Sequence, residues 1–336
     1  MNAKIVAISY WLPDQKLTNE EINKLHPEWS VEKIASKTGI YERRIANENI
    51  STVDMAYYAV ERMFSENNID KSVVDFILLC TQSPDYFLPS SACVLQNRLG
   101  LSTSVGALDF NLGCSGYVYG LGLAKGLIAS GSAKNVLLVT SETYSKLIHP
   151  DDKSNKTIFG DAAAATLISS DEMLEGLSIG NFVYGTDGKG ADNLIVKNGG
   201  FGNKHIFPNR STSLENDQFS SDDYLYMNGA EIFKFTSQNV PELVDSVLKA
   251  NNTSDEEVDM YIFHQANKYM LDFIRKKMHI PESKFFYFLE TCGNTVSSTI
   301  PISLSEAFAQ RKVSNKSKIL LAGFGVGYSW AGCILE

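Results

Sequence analysis

The sequence predicts an α/β protein built from two similar halves, and two observations lead to this fold class. Apolar, β-branched runs alternate with segments of helical period along most of the 336 residues, which is typical of strands and helices around a buried sheet. The same order of elements also returns at nearly the same length. The interval from Asp75 to Val136 is 61 residues, and the interval from Asp259 to Ile319 is 60. This recurrence favours two related halves.

The first half is expected to span residues 1–175. Short runs rich in apolar and β-branched residues predict its strands in KIVAISYWLP, VVDFILLCTQ, VGALDFNLGC and KNVLLVTSE. Ser51 is a suitable N-cap for a helix in STVDMAYYAVERMFSENN, and Gly100 is a natural stop for a helix in SSACVLQNRLGL. A further helix is expected in SGYVYGLGLAKGLIASG.

The second half is expected to span residues 229–336. Helical spacing recurs in AEIFKFTSQNVPELVDSVLKANN, KYMLDFIRKKMHI and GNTVSSTIPISLSEAFAQR. VDMYIFHQAN predicts a strand, and SKILLAGFGVGYSWAGCILE predicts a terminal pair of strands. Residues 176–228 between the halves are rich in Gly, Asn and Ser from about residue 186 onwards. We expect an irregular segment there, of the kind that often carries substrate contacts.

Composition excludes several classes of function. Mean hydropathy is −0.11, and no stretch approaches the ~20 apolar residues of a membrane span. The N-terminus lacks the pattern of a signal peptide, and five scattered cysteines fit a reducing compartment, so a cytoplasmic location is expected. No His/Cys cluster has metal-ligand spacing, which argues against a zinc site. A net charge of −9 argues against a general nucleic-acid binder.

Cys114 is the first candidate for chemistry. It lies in NLGCSGYVYGLG, between Gly113 and Ser115-Gly116, at the predicted turn from a strand into a helix. Small neighbours leave room for an acyl group to reach the sulfur, and the helix N-terminus is expected to lower the thiol pKa. The alternative is a buried structural cysteine, which the local sequence fits equally well. The remaining cysteines are interpreted as structural: Cys80, Cys93, Cys292 and Cys333.

Two further candidates lie in the second half. His264 ends an apolar strand in YIFHQANKYM and suits a catalytic group at a sheet edge, although a structural histidine is the alternative. Asn294, in ETCGNTVSSTIP, could donate to an oxyanion or could simply cap a helix. Gly323, Gly325 and Gly327 alternate in LLAGFGVGYSWAG and predict a tight turn that aims a backbone N–H at the thiol.

Together these motifs carry a family resemblance. CSG, HQAN and CGNTVSSTIP, in that order and beside GFGVGYSWAG, resemble β-ketoacyl-acyl carrier protein synthase III and its relatives of the thiolase superfamily. The resemblance covers essentially the whole chain, including SKTGIYERRIA, TIFGDAAAATLI and YMNGAEIFKF. It implies a thiolase-like fold of five αβαβα layers, made of two pseudo-duplicated halves, and a homodimer.

The resemblance also implies a mechanism. Cys114 would take an acyl group from a thioester primer. His264 and Asn294 would then bind the carbonyl of malonyl-acyl carrier protein and stabilise the enolate that forms as carbon dioxide leaves. The backbone N–H groups that would hold the later oxyanion belong to Cys114 and to the loop Gly325, Val326 and Gly327. No metal or redox cofactor is implied, because the thioesters of coenzyme A or acyl carrier protein are substrates.

Some residues depart from the family pattern for binding the carrier. Lys33 stands where family members place a tryptophan against the adenine of coenzyme A, Lys37 replaces an arginine, and Tyr269 replaces another. These changes favour a primer borne by acyl carrier protein as much as one borne by coenzyme A. Because carrier proteins are acidic, a basic dock is expected, although a solvated helix face is the alternative. Its candidate residues are Lys234, Lys268, Arg275, Lys276 and Lys277.

Leu88 departs from the pattern in the acyl pocket. Priming enzymes for two-carbon units carry phenylalanine before Pro89, and in this family that side chain reaches into the partner subunit's pocket. The smaller leucine predicts acceptance of longer or branched acyl chains.

Three competing functions remain open from the sequence. The acyl-cysteine could pass its group to an alcohol or amine without decarboxylation. The order Cys, His, Asn is also that of papain-like proteases, but the repeated βαβ pattern argues against a protease. A non-catalytic dimeric scaffold on the same fold is the third alternative.

Overall fold

The structure is a computed structural model that describes residues 2–202, 213–215 and 218–336. Its strands are β1 (Lys4–Trp11), β2 (Lys16–Thr18), β3 (Glu42–Arg44), β4 (Phe76–Cys80), β5 (Gly106–Phe110), β6 (Asn135–Glu142), β7 (Ala162–Ser169), β8 (Leu177–Thr186), β9 (Leu194–Ile195), β10 (Ser213–Glu215), β11 (Gln218–Ser220), β12 (Tyr226–Met227), β13 (Met260–Phe263), β14 (Ile319–Gly325) and β15 (Ser329–Leu335). Its α-helices are α1 (Asn19–Leu25), α2 (Val31–Thr38), α3 (Thr52–Asn67), α4 (Ser91–Arg98), α5 (Gly116–Ala129), α6 (Lys153–Lys156), α7 (Gly229–Ala250), α8 (Lys268–Lys277) and α9 (Thr299–Ala309).

The main sheet has nine strands in the order β13-β14-β15-β8-β1-β7-β6-β4-β5. On one side, β4 and β6 are parallel and β7 is antiparallel to β6. On the other side, β13 and β14 are parallel and β15 is antiparallel to β14. The two sides meet where β1 and β8 pair at Lys4–Ser178 and Ile5–Leu177. The same strand pattern therefore occurs on both sides of this junction.

Helices cover the sheet in layers because successive strand residues point to opposite faces. Leu138 of β6 and Leu321 of β14 belong to one core cluster with residues of α5 and α9. These two helices therefore form a central layer between the strands on one side of the β1–β8 junction and those on the other. Their neighbours point outward: Leu137 packs with α3 and α4, and Leu320 packs with α7 and α8. The resulting order of layers is αβαβα.

Several local expectations agree with these elements, and others need correction. Ser51 caps α3 in a capping box with Asp54, as its sequence predicts. The expected irregular segment 176–228 is wrong for residues 177–186, because LSIGNFVYGT forms β8 and pairs with β15 over most of its length. The segment contains polar residues and glycines because only part of the strand is buried, so its sequence lacks the apolar run that predicts the other strands. Residues 203–212 and 216–217 of the same segment lie outside the described part.

The start of the last long helix also differs from expectation. α9 begins at Thr299, and a 3₁₀ turn over Val296–Ser298 precedes it. Asn294 is therefore not the N-cap of α9, a position that Ser298 occupies. In the described residues, no helix has the length and apolar character that a membrane crossing requires.

Candidate active site

Cys114 lies in the turn between β5 and α5, where Gly116 N–H donates to the carbonyl of Gly113 at 2.8 Å. The C-terminal end of β14 packs directly against it. A Cβ atom on Gly325 would lie 2.9 Å from the sulfur, and one on Gly323 would lie 2.9 Å from the Cys114 carbonyl oxygen. Both distances are too short for a side chain. The alternating glycines therefore allow the β14 backbone to reach the thiol.

The expectation that the helix N-terminus lowers the pKa of the Cys114 thiol is wrong. Burial raises the pKa of Cys114 to about 12, and the negative charge that Glu142 carries at the high pH where the thiol ionises acts in the same direction. The backbone N–H groups of Val326 and of Cys114 itself oppose this shift by hydrogen bonding to the sulfur. Burial outweighs these local dipoles, so Cys114 is a protonated thiol at neutral pH.

Glu142 is a buried carboxyl group behind the nucleophile, at the end of β6. It accepts hydrogen bonds from Gln82 N–H at 3.1 Å, from Ser83 Oγ at 3.0 Å and from Ser297 Oγ at 2.9 Å. Burial is the main reason that its pKa is raised to about 8. Glu142 thus joins the loop after β4 to the turn before α9.

His264 directly follows β13, and its Nδ1 lies 2.7 Å from Thr299 Oγ1. The same hydroxyl lies 3.0 Å from the carbonyl oxygen of Val296. Burial lowers the pKa of His264 to about 3, so the imidazole is neutral at neutral pH. With Nδ1 held by Thr299, Nε2 is the nitrogen available to a ligand.

Asn294 presents an amide N–H₂ group in the same region. Gly293 before it has φ +75°, and a Cβ there would lie 2.8 Å from the carbonyl oxygen of Ile158, so this turn requires glycine. Asn294 Oδ1 accepts from Val296 N–H at 2.9 Å. Because the oxygen is occupied, Nδ2 is left as the donor that can reach a ligand.

A cavity of about 140 Å³ brings the three candidates together. Cys114, His264 and Asn294 all contribute to its wall. The remaining wall is mostly apolar and comes from Ile158, Phe159, Leu194, Met227, Gly229, Ile232, Thr236, Ala266, Asn267, Met270, Phe324 and Gly325. A sulfur, a neutral imidazole and a free amide donor around one small apolar space can hold a carbonyl group as it gains negative charge.

Comparison with known proteins identifies the family. Residues 108–188 match the family model 3-oxoacyl-[acyl-carrier-protein (ACP)] synthase III, and residues 248–336 match the model of its C-terminal part. β-Ketoacyl-[acyl-carrier-protein] synthase III of Clostridium perfringens is 33% identical over 335 residues, which is 100% of this chain and 99% of the relative. The chain belongs to the 3-oxoacyl-[acyl-carrier-protein] synthase III family. It is thus an acyltransferase.

Other synthase III proteins are similarly close. Synthase III 2 of Staphylococcus epidermidis is 37% identical over 338 residues, covering 99% of this chain and 98% of the relative. A crystal structure of a 3-oxoacyl-(acyl-carrier-protein) synthase III is 49% identical, with a TM-score of 0.96 over 100% of this chain and 99% of the other. The synthase of Burkholderia xenovorans LB400 is 32% identical, with a TM-score of 0.88 over 100% and 94%. This chain therefore has the thiolase-like fold.

Lys33 and Lys37 lie near an aromatic ring that was not predicted from the sequence. Their Nζ atoms lie 5.4 and 5.8 Å from the centre of the Trp29 ring. Lys153, far along the chain, brings a third amine to 6.0 Å from that ring and forms an ion pair with Glu28 at 3.0 Å. A tryptophan, absent from position 33, thus lies four residues earlier, just before the N-cap of α2, in the sequence WSVEK.

The other predicted basic residues lie on α7 and α8. Lys276 is exposed, Lys234 is 3.8 Å from Glu231, and Lys277 donates to the Ser237 carbonyl at 2.8 Å. The end of α2 reaches the same face, because a Cβ on Gly39 would lie 2.3 Å from Lys268 Cβ. Exposed Tyr269 follows Lys268.

Arg275 is the member of the predicted dock that faces inward. It is largely buried, donates to Tyr287 Oη at 3.0 Å and to the Ile280 carbonyl at 3.2 Å, and lies 4.0 Å from Asp272. These bonds hold the Arg275 guanidinium against neighbouring residues of its own chain.

Leu88 lies outside the cavity of its own chain. Its side chain is 81% exposed, and neighbouring Phe87 and Tyr86 are exposed as well. Three consecutive exposed apolar residues form a protruding arm, which we define as residues 86–88. Among the described residues, no cluster of His, Cys, Asp and Glu is arranged to hold a metal ion.

Proposed function

We propose that this protein catalyses a decarboxylative Claisen condensation between an acyl thioester and malonyl-acyl carrier protein, giving a 3-oxoacyl-acyl carrier protein. The observation that carries the proposal is the shared cavity of Cys114, His264 and Asn294. The relatives are named β-ketoacyl-[acyl-carrier-protein] synthase III, and this name describes the product of such a condensation.

The first half-reaction would be acyl transfer to the enzyme. Cys114 Sγ attacks the carbonyl carbon of the primer, a carbon–sulfur bond forms, and the bond to the carrier sulfur breaks. Because the thiol is protonated, it must lose its proton as the carbon–sulfur bond forms, and the lone pair of neutral His264 Nε2 is an acceptor in the same cavity wall. The same proton then goes to the departing carrier sulfur. The N–H groups of Val326 and Cys114 would hold the oxyanion.

The second half-reaction would be condensation. The carboxylate of the malonyl group leaves as carbon dioxide, and its bonding electrons form an enolate. Asn294 Nδ2 donates to the enolate oxygen, and neutral His264 donates from Nε2 in the tautomer that carries its one ring proton on that nitrogen. The carbanion attacks the acyl-cysteine, and the sulfur departs as a thiolate that regains a proton from solvent. These steps move only electron pairs and protons, so the proposal requires no metal or redox cofactor.

The proposal includes a homodimer and a carrier dock. The exposed arm 86–88 would insert its leucine into the acyl pocket of a second copy, which gives three exposed apolar side chains a partner. The face formed by the end of α2, α7 and α8 would receive an acidic carrier protein, with Lys276 among its exposed amines. Trp29 and its three lysines would receive the nucleotide of coenzyme A.

Intact-mass spectrometry tests the proposal directly. The wild type is exposed to a panel of acyl-coenzyme A and acyl-acyl carrier protein thioesters and should gain one acyl group. Cys114→Ser should gain none and should form no extended product, whereas Cys93→Ser, which changes an exposed cysteine, should behave as wild type. Extension of acyl chains by Cys114→Ser would overturn the proposal.

Carbon dioxide release separates condensation from the alternative acyl transfer. If the acylated wild type releases carbon dioxide from malonyl-acyl carrier protein, the condensation is supported. If it instead acylates an alcohol or amine and releases none, the non-decarboxylating reaction replaces it.

A further inference from the structure

One hydroxyl group in the wall of the cavity has no use in the steps above. Thr236, on α7, is 1% exposed and contributes to the same cavity wall as Cys114 and His264. Its Oγ1 is buried and has no hydrogen-bond partner within the described part of the chain. A buried hydroxyl without a partner is destabilising, so its presence calls for an explanation.

The helix itself would ordinarily satisfy such a group. Serine and threonine inside helices commonly bond to a carbonyl of the preceding turn. On the same helix, Ser246 Oγ donates to the Glu242 carbonyl at 2.7 Å, and Ser237 Oγ donates to the Lys234 carbonyl at 2.9 Å. Thr236 forms no such bond. The hydroxyl is therefore without a partner on a residue that lines the cavity.

Asn267 offers a complementary group in the same wall. As the N-cap of α8, its Oδ1 accepts from Met270 N–H at 2.9 Å, which leaves Nδ2 as a donor. The surrounding wall residues are mainly apolar, among them Leu194 and Met227. A ligand with one N–H and one carbonyl oxygen, otherwise apolar, matches this pair. A secondary amide has this composition.

We propose that Thr236 binds a secondary amide of the arm that carries the thioester. Its hydroxyl accepts the amide N–H, and Asn267 Nδ2 donates to the amide carbonyl. The pantetheine arm shared by coenzyme A and acyl carrier protein contains such amides, so the inference rests on the proposed function for its choice of ligand. Thr236 thus selects for the arm and not for the acyl group.

Thr236→Val tests the assignment, because valine keeps the shape and removes only the hydroxyl. Calorimetry with free pantetheine should show a dissociation constant raised by about 3- to 10-fold, the worth of one neutral hydrogen bond. Thr236→Ser keeps the hydroxyl and should restore binding. Thr295→Val is the matched control, since it also removes a buried hydroxyl without a partner but lies outside the cavity wall. It should bind pantetheine as wild type does.

Kinetics with a series of donors adds a second readout. Thr236→Val should raise KM for an acyl-pantetheine thioester by the same factor and leave kcat nearly unchanged. An acyl S-ethyl thioester, which has no amide, should show no change. An N-acetylcysteamine thioester has only the amide nearest the sulfur and reports whether that amide is the one bound.

Thermal unfolding separates binding from folding. Without ligand, Thr236→Val and Thr295→Val should both unfold at or slightly above the wild-type temperature, because each loses an unsatisfied hydroxyl. Wild-type affinity for pantetheine in Thr236→Val, or equal losses for S-ethyl and pantetheine donors, would overturn the inference. Pantetheine binding by a wild type that releases no carbon dioxide would instead refute the proposed function alone.

Discussion

The hydroxyl of Thr299 lies 2.7 Å from Nδ1 of His264 and 3.0 Å from the carbonyl oxygen of Val296. A hydroxyl has one proton and can give it to only one of these two acceptors. When Val296 receives it, Nδ1–H donates to Thr299 and Nε2 offers a lone pair. When Nδ1 receives it, Nε2 carries the ring proton. The Thr299 hydroxyl can thus pair with either neutral tautomer of His264, the one that accepts a proton at Nε2 and the one that donates from Nε2.

Thr299→Val should therefore impair both half-reactions. Valine keeps the volume but supplies neither a donor nor an acceptor to Nδ1, so the ring loses the group that orients it and supports both tautomers. We expect acylation and carbon dioxide release to slow by roughly 10- to 100-fold, measured in single-turnover experiments. Thr295→Val, a nearby change of the same kind, should retain wild-type rates. Equal rates in Thr299→Val and wild type would show that Thr299 has no part in the reaction.

Gly325→Ala should block acylation by displacing the nucleophile. The new Cβ would lie 2.8 Å from Cys114 Cβ and 2.9 Å from its sulfur, and one of the two must move. A misplacement on the order of 1 Å can reduce a rate by about 100-fold, and we expect a loss of that size in the rate of acyl-enzyme formation.

Gly126→Ala is the control for that glycine. Gly126 lies inside α5, and a Cβ there would meet nothing within 4 Å. Alanine should leave acylation unchanged and should raise the free energy of unfolding by up to ~1 kcal/mol, because glycine is a poor helix former. Wild-type acylation by Gly325→Ala would contradict the close approach of β14 to the thiol.

Leu88→Phe should shift the choice of primer toward short acyl chains. If the arm 86–88 enters a second copy's pocket, the larger ring shortens the space for the chain, and each excluded methylene forfeits ~0.8 kcal/mol of burial. Competition among acyl thioesters of different length, followed by intact mass, measures the shift. Met173→Phe, at a side chain that is 91% exposed, should leave the preference unchanged. An unchanged preference in Leu88→Phe would show that the arm does not enter the acyl pocket.

Trp29→Ala should distinguish the two carriers. The indole has three lysine amines within 6.0 Å of its ring centre, a setting that suits a flat ring bearing phosphate. Loss of stacking on this ring should raise KM for acyl-coenzyme A by about 3- to 10-fold. The corresponding acyl-pantetheine, which has no nucleotide, is the control and should be unaffected. Equal effects on both donors would show that Trp29 contributes to folding and not to nucleotide binding.

The sequence allowed prediction of which groups converge, but not of their environment. Cys114 and His264 each follow a strand, and the β5 and β13 strands belong to equivalent parallel units, so their meeting could be expected. The pKa of Cys114 could not, because burial and the charge of Glu142 come from segments that meet only in the folded chain. A local argument from the helix N-terminus therefore predicted the wrong direction.

Trp29 and Thr236 were missed for the same physical reason. Trp29 precedes the N-cap of α2, and the approach of Lys153 to its ring joins positions far apart in the sequence. Thr236 occupies an ordinary helical position, and its lack of a hydrogen-bond partner is visible only once the cavity has formed. The periodicity of a helix predicts which face a residue lies on, but it does not predict whether a hydroxyl has a hydrogen-bond partner.

The pH dependence of stability should reveal the charge state of Glu142. Its pKa rises from an ordinary 4.5 to about 8, so the native state binds this proton more tightly than the unfolded chain. The resulting stability is complete below pH ~4.5 and is lost as the pH rises through about 8. Asp161, raised to about 6, loses its contribution at lower pH, and His264, lowered to about 3, reaches its full contribution once pH exceeds ~6.5. Between pH 6.5 and 8, Glu142 is thus the group among these three that still changes the free energy of unfolding, by on the order of 1–2 kcal/mol.

Urea unfolding of the wild type should show this decline, and Glu142→Gln, which cannot ionise, should show a flat profile over the same interval. A parallel decline in both proteins would mean that Glu142 is already ionised at pH 6.5.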